Sequence, residues 1–276
     1  MNWRIIRAIA RKDLLEVRQN GMAWKPMVIL PVIFVVVLPL LVILGPTVFN
    51  IPVESFTSDP DLQGFLTNMP PAMKAQFEGL NPHQMAIVMV LGYMLAPMLL
   101  IIPVMVASVV GTDSFVGEKE RRTIEPLLYT PASERELFAG KMLAALLPAL
   151  GLTWLSFLMY AFVLNVIGGS VMGRFWFPTP VWLPLMLWVA PAIAMMGMTA
   201  AVIISARTNT FMEAYQTTGM LVLPIILLVI GQATGVVYLD IPIALIVGAV
   251  IWVVDAALLW FALKIFSRAR LMARGV

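Results

Sequence analysis

The sequence predicts an all-α polytopic membrane protein with six transmembrane helices, an N-terminal amphipathic interfacial helix and a short cytoplasmic helix between spans two and three. Three observations lead there. Of 276 residues, 61% are hydrophobic and only 12% charged, whereas soluble domains carry about 25% charge. The apolar residues fall in six blocks near the roughly 20 residues that a bilayer-crossing helix needs. Sixteen of the eighteen Lys and Arg lie on one side of those blocks, leaving only Lys74 and Arg174 on the other. That asymmetry is the positive-inside pattern and predicts both termini in the cytoplasm. The chain reads as one domain, 1–276, multi-pass in a bacterial or archaeal inner membrane and in contact with lipid. Without cysteine it has no disulfide and no thiol nucleophile.

The elements follow in order. Over 2–25, Trp3, Ile6, Ala10, Leu14 and Val17 recur at helical spacing, with Arg4, Arg7, Arg11, Lys12 and Arg18 around the rest. This is an amphipathic helix, lying on an anionic leaflet or packed on protein. The start has no cleavage site of the kind that ends a secretory leader. Gly21 and Pro26 are expected to break the helix before the first span. Spans are predicted at 27–44, 84–110, 142–167, 181–204, 215–236 and 241–263. An outer loop is predicted at 45–83, with a short helix near Met73–Gly79, and Asn81-Pro82 opens span two. Pro97 and Pro103 should kink span two, because proline lacks a backbone donor and clashes with the preceding turn. Gly231 and Gly235 permit close helix approach or a re-entrant turn.

The densest charge is at 111–141, GTDSFVGEKERRTIEPLLYTPASERELFAGK. Thr123 can cap a short helix with Ile124, Leu127 and Leu128 on one face. Pro126 is tolerated in a first turn, and Pro131 ends the helix. Ser133 and Glu136 have the S-x-x-E spacing of a capping box, opening the helix that enters span three. A short helix with an apolar face and charged flanks suits docking into a groove on a soluble partner. The bland alternative is a polar loop obeying the charge rule, with Glu118, Glu120 and Glu125 in a solvated ion-pair face beside Arg121 and Arg122.

The run DSFVGEKERRTIEPLLYTPASERELFAGK resembles the core of ABC-2 type transporter permeases. The resembling features are the GEKER run, the TIEPLL segment, the TPAS turn and the ELFAGK exit. The resemblance implies an ATP-driven exporter whose permease engages separate ATPase subunits, with ATP and Mg on those subunits and no cofactor here. It also implies a second permease copy or a related one. The coupling segment would be Gly117, Glu118, Lys119, Glu120, Arg121, Arg122, Thr123, Ile124, Glu125, Pro126, Leu127 and Leu128. Glu118, Glu120, Arg121 and Glu125 would be its polar contacts and Ile124, Leu127 and Leu128 its apolar key. In keeping with this, no G-x-x-x-x-G-K-[S/T] phosphate loop occurs; Gly140-Lys141 lacks the flanking residues. Neither enzyme activity nor a nucleic-acid partner is expected.

Other polar residues are weighed against packing. Asp255 lies nine residues before Lys264, about 13 Å of helix. A carboxyl at that depth reads as functional by default, and an ion-driven carrier without an ATPase is the alternative it supports. Gln216, Thr217, Thr218 and Gln232 can line a pathway or bond neighbouring helices. Met195, Met196 and Met198 read as adaptable packing. His83 stands alone, so no metal site is expected.

Overall fold

The computed structural model describes residues 2–49, 67, 69–121, 123 and 132–265. Among these there is no strand, and six helices are long and apolar enough to span a membrane. An amphipathic helix, α1 (Trp3–Gln19), precedes the spans α2 (Gly21–Pro46), α3 (Pro82–Glu120), α4 (Glu134–Val166), α5 (Trp182–Ser205), α6 (Phe211–Ala233) and α7 (Ile241–Ile265). The expected short helix of the outer loop is a single turn, Pro71–Lys74. The expected coupling helix lies largely outside the described residues: Arg122, Ile124, Glu125, Pro126, Leu127 and Leu128 all fall there.

Two spans form the centre. Of the most apolar stretch of α3, 72% is buried, and of α5, 61%; the other four reach 17–28%. Helices α3 and α5 pack along each other, α4 covers α3, and α7 covers α5. Small residues permit this closeness. A Cβ at Gly111 would stand 2.9 Å from the Ala201 Cβ, and one at Gly197 would stand 2.8 Å from the Val104 carbonyl oxygen. The exposed faces of α2, α4, α6 and α7 are rows of Leu, Ile, Val and Phe, which suits lipid rather than water.

Helix boundaries show where local signals prevail. Asn81 and Gln84 form a reciprocal capping box with Pro82 in the first turn, so α3 begins where the Asn-Pro pair indicated. Ser133 and Glu136 do the same for α4. The break before α2 falls at Asn20, whose side chain accepts from the Met22 N–H. Pro26 therefore lies inside the helix. The Trp24 N–H already donates to the Asn20 carbonyl at 2.9 Å, so Pro26 stands just past the unpaired first donors, where proline removes one helical donor.

Helix α3 is interrupted rather than smoothly kinked. Its backbone widens over Val88–Met94, turns at Leu95 and Leu100, and restarts with Pro97 and Pro103 in the first turns of new segments. Pro97 has no N–H to offer the Gly92 carbonyl five residues back. The Trp182 Nε1 donates to that oxygen instead at 2.9 Å, and the Tyr160 hydroxyl donates to the Leu91 carbonyl at 2.7 Å. Buried backbone acceptors are thus satisfied by aromatic side chains of α5 and α4.

The end of α6 is a closed turn, not a re-entrant one. Gly235 is left-handed (φ 71°), and the Val236 N–H donates to the Gly231 carbonyl at 2.9 Å. Such a cap favours glycine. Asp240 then accepts from the Ile243 N–H at 3.0 Å and opens α7.

Candidate functional site: the charged end of the bundle

The GEKER run does not begin a loop. Helix α3 continues past Val110 through Glu120, so Gly111–Glu120 belongs to it. The reason is partners: Glu118 is buried against cations of α1 and α4, and the more exposed Lys119 and Glu120 bond to the turn between α5 and α6.

Glu118 is fully buried. Its Oε2 accepts from Lys141 Nζ of α4 at 2.7 Å, and its Oε1 pairs closely with Lys12 of α1. Lys141 is also buried. Its ammonium donates to the Ser114 carbonyl at 2.5 Å and the Ser114 hydroxyl at 3.1 Å, and stands 3.5 Å from Asp13 Oδ2. The Ser114 hydroxyl in turn donates to that same Asp13 oxygen. Lys141 also lies 5.1 Å from the Phe115 ring centroid. Lys141, Asp13 and Glu118 are therefore buried together where α1, α3 and α4 meet, with the partly exposed Lys12 closing the cluster at its edge. Burying charges is tolerable only when they are paired and hydrogen-bonded, and here they are. The carboxylates of Asp13, Glu16 and Glu118 approach within 4.8 Å of one another; Lys12 and Lys141 answer their charge.

Beside this lies a second pair. Asp113 Oδ1 accepts from Arg121 Nη1 at 3.2 Å and from the Asn20 amide at 2.9 Å. Asp113 and Arg121 are eight residues apart, about two turns, with Gly117 midway. A Cβ at Gly117 would stand 2.8 Å from Asp113 Oδ1 and 3.0 Å from Arg121 Nη2. Glycine here is the gap through which the pair closes. The backbone widens over Asp113–Gly117 with no proline responsible; widened turns of this kind often mark functional positions. Arg121 also reaches Glu16 at 3.5 Å.

The remaining residues of the run hold the α5–α6 turn. Lys119 Nζ donates to Asn209 Oδ1 at 2.7 Å and to the Thr208 carbonyl at 3.1 Å. Glu120 Oε2 accepts from the Phe211 N–H at 2.8 Å, capping the start of α6. Thr123 donates to the Glu118 carbonyl at 3.3 Å. The side chains of Glu118, Glu120 and Arg121, which the family resemblance cast as contacts to a partner, are thus engaged within the chain. A cleft of about 600 Å³ opens between α1, α3 and α6, bounded by Glu16, Asn20, Asp113, Arg121, Thr123 and Phe211.

The ELFAGK exit is equally occupied. Glu136 caps α4 and accepts from the Asn2 N–H at the start of α1. Leu137 is buried. Gly140 lets α1 cross: a Cβ there would stand 2.8 Å from Ile9 Cβ and 3.1 Å from the Ile6 carbonyl oxygen. Helix α1 therefore packs on protein through Ile6, Ile9, Ala10, Asp13 and Val17, while Arg4, Arg7, Arg11 and Arg18 face outward. Trp3, assigned to the apolar face by spacing, is exposed.

Electrostatics follow from this geometry. Burial works to lower the Lys12 ammonium, but Glu118, with Asp13 and Glu16 behind it, outweighs that and holds it above the usual lysine range. Burial likewise opposes the Arg121 charge, and Asp113 and Glu16 raise it above the ordinary arginine value.

A family model for ABC-2 family transporter proteins matches residues 7–261. The chain belongs to the ABC-2 transporter family. No curated protein and no solved structure matches it. It is therefore a membrane permease of an ABC transporter, a family whose members associate with an ABC ATPase.

The residues considered for a pathway are scattered through this permease. Gln216 and Thr217 are on the exposed side of α6, and the Thr217 hydroxyl donates to the Glu213 carbonyl at 2.8 Å. Thr218 is buried and bonds back to Ala214 and Tyr215. Gln216 and Thr218 border a largely apolar cavity of about 290 Å³ between α2, α3 and α6. Gln232 and Asp255 are buried with side-chain oxygens that have no partner among the described residues. Asp255 lies on the inward stripe of α7 with Ala244, Gly248 and Ala262. That stripe packs on α5, which carries no charged residue.

Sequence reasoning missed Asp13, Asp113, Ser114, Gly140 and Lys141 as members of the site. Asp13 was visible in principle: it falls three residues after Ala10 and four before Val17, on the buried face.

Proposed function

We propose that this permease is the membrane half of an ATP-driven exporter, and that the charged end described above is its cytoplasmic, force-receiving end. The observation that carries the proposal is the position of the GEKER run. Its side chains tie α3 to α1 and α4 through Glu118, and to the α5–α6 turn through Lys119 and Glu120. A push on this point reaches five helices at once. The positive-inside asymmetry supports the cytoplasmic assignment and an inner-membrane location.

ATP and Mg would sit on separate ATPase subunits. Closure of those subunits displaces the segment 117–128, with Ile124, Leu127 and Leu128 as the contact and Gly117–Arg121 as the anchor. The cluster keeps α1, α3 and α4 together as one body, so the displacement reaches the α3–α5 core instead of being absorbed locally. A second permease completes the pathway. Leu127→Asp tests this directly: ATPase co-purification is lost while thermal stability is retained. Glu118→Lys does not make that test, because it places a third cation among Lys12, Lys141 and the carboxylates and acts on folding.

One observation favours a second reading. Asp255 is buried with neither oxygen partnered among the described residues, on a helix facing an uncharged neighbour, a costly arrangement. Under this reading the cargo or a coupling ion meets Asp255. Asp255→Asn that leaves transport and its pH profile unchanged would eliminate it.

A further inference from the structure

At the end of the bundle opposite the charged cluster, a cavity of about 330 Å³ opens between Ala75–Glu78, the loop at 174–179 and the start of α3. Glu78 and Arg174 both line it and both are exposed. Neither makes an ion pair among the described residues. Trp176 and Thr179 also line it; the Trp176 indole nitrogen is buried with no hydrogen-bond partner among the described residues, and the Thr179 side chain meets the Tyr93 hydroxyl. A buried polar group left unmatched is costly, and the indole nitrogen of Trp176 is such a group on a residue of this wall.

The walls are built. Asn165 of α4 accepts from the backbone N–H of Trp176 at 3.1 Å and of Phe177 at 3.2 Å, and donates to the Phe177 carbonyl at 2.7 Å. The Trp176 ring is seated over Gly92, where a Cβ would stand 3.3 Å from it. On the other side, Gln76 accepts from the Tyr93 hydroxyl at 2.5 Å. The loop and both walls are therefore anchored to the membrane helices before any ligand arrives.

The chemistry is two-signed. A guanidinium recognises carboxylate or phosphate oxygens. A carboxylate beside an indole recognises an ammonium, above all a quaternary one, through charge and the ring face. The volume is at the lower end of small-molecule pockets, about 300 Å³ and upward. We propose that this cavity binds a small zwitterion, its anionic group on Arg174 and its ammonium between Glu78 and Trp176. A free solute and a lipid headgroup share that chemistry. The site is independent of the coupling proposal, because it lies at the other end and needs no ATPase.

The test uses the purified full chain in nanodiscs of phosphatidylglycerol. Phosphocholine and glycine betaine are the probes; choline and inorganic phosphate are the single-charge controls. Binding is followed by titration calorimetry and tryptophan fluorescence. The expected result is saturable binding of at least one zwitterion, about tenfold tighter than either control, weakened about tenfold by Arg174→Gln and by Glu78→Gln. Both substitutions are at exposed positions, so folding is preserved, and melting curves verify it. Trp176→Phe should reduce the fluorescence response and weaken binding. Repeating the titration in phosphatidylcholine nanodiscs separates the sources. Loss of phosphocholine binding there identifies a lipid headgroup, and unchanged binding identifies a free solute. Failure of both zwitterions to saturate, controls that bind equally well, or affinity indifferent to both charge substitutions would overturn the proposal.

Discussion

Lys141 sits where an ammonium can survive only because four oxygens meet it: Glu118 Oε2, both Ser114 oxygens and, at 3.5 Å, Asp13 Oδ2. Replacing it with methionine keeps the volume and strands buried negative charge. We expect Lys141→Met to cost about 3–5 kcal/mol, read as a lower melting temperature of the purified protein in detergent. Lys141→Met combined with Glu118→Gln should recover part of that loss, a non-additivity expected of partners in one network. The two glycines make complementary expectations. Gly140→Ala sets a methyl against Ile9 and the Ile6 carbonyl, and should destabilise by about 1–3 kcal/mol through overpacking. Gly117→Ala intrudes on Asp113 and Arg121, and an Asp113→Ala background should mask its effect in a double-mutant cycle. None of these roles was readable from the residues alone. Lys141 pairs with groups 23 and 128 positions away, and nothing local marks such a pairing. By contrast, Asn81 with Gln84 and Ser133 with Glu136 were legible, because a capping box is closed within four consecutive residues.

At the scale of elements, α1 is a clamp. Its inner face carries Asp13 among Ile6, Ile9, Ala10 and Val17, and its Lys12 leans over to Glu118. The sign of its pH dependence follows from Lys12. Because Glu118, Asp13 and Glu16 raise the folded-state value above the unfolded lysine near 10.4, the stabilisation is fully present below that pH. It fades as pH rises through the higher folded value. Thermal unfolding of Lys12→Met should therefore differ from wild type by a constant amount from about pH 6 to 9. The two curves should converge only under strongly alkaline conditions. Helix α3 teaches a different lesson about reading sequence. Its apolar stretch ended legibly at Val110, yet the helix continues to Glu120. A hydropathy boundary marks where solvent is expected, and packing of α1 and α4 keeps 111–118 buried beyond it. Pro97 and Pro103 were rightly associated with irregularity, and the aromatic donors Tyr160 and Trp182 that make it tolerable come from other helices.

For the whole molecule, six spans and their order could be read from apolar block length, because lipid leaves the backbone little choice but helix; the helix ends could not, since α3 runs on to Glu120 and α4 already begins at Glu134. Which spans are central could not: α3 and α5 are less apolar than the peripheral α2, and small residues such as Gly111 and Gly197 let the two pack closely. The distribution of charge then gives the molecule two distinct ends, a dense one built on GEKER and ELFAGK and a sparse one bearing Arg174 and Glu78. Force from a separate ATPase is proposed to enter at the dense end. The most direct measurement is capture of the ATPase by the permease in nanodiscs, with wild type and Leu127→Asp compared at matched melting temperature. Leu127→Asp should lose at least tenfold in capture, together with nucleotide-dependent transport. Undiminished capture by Leu127→Asp, or transport that continues with no ATPase present, would contradict it.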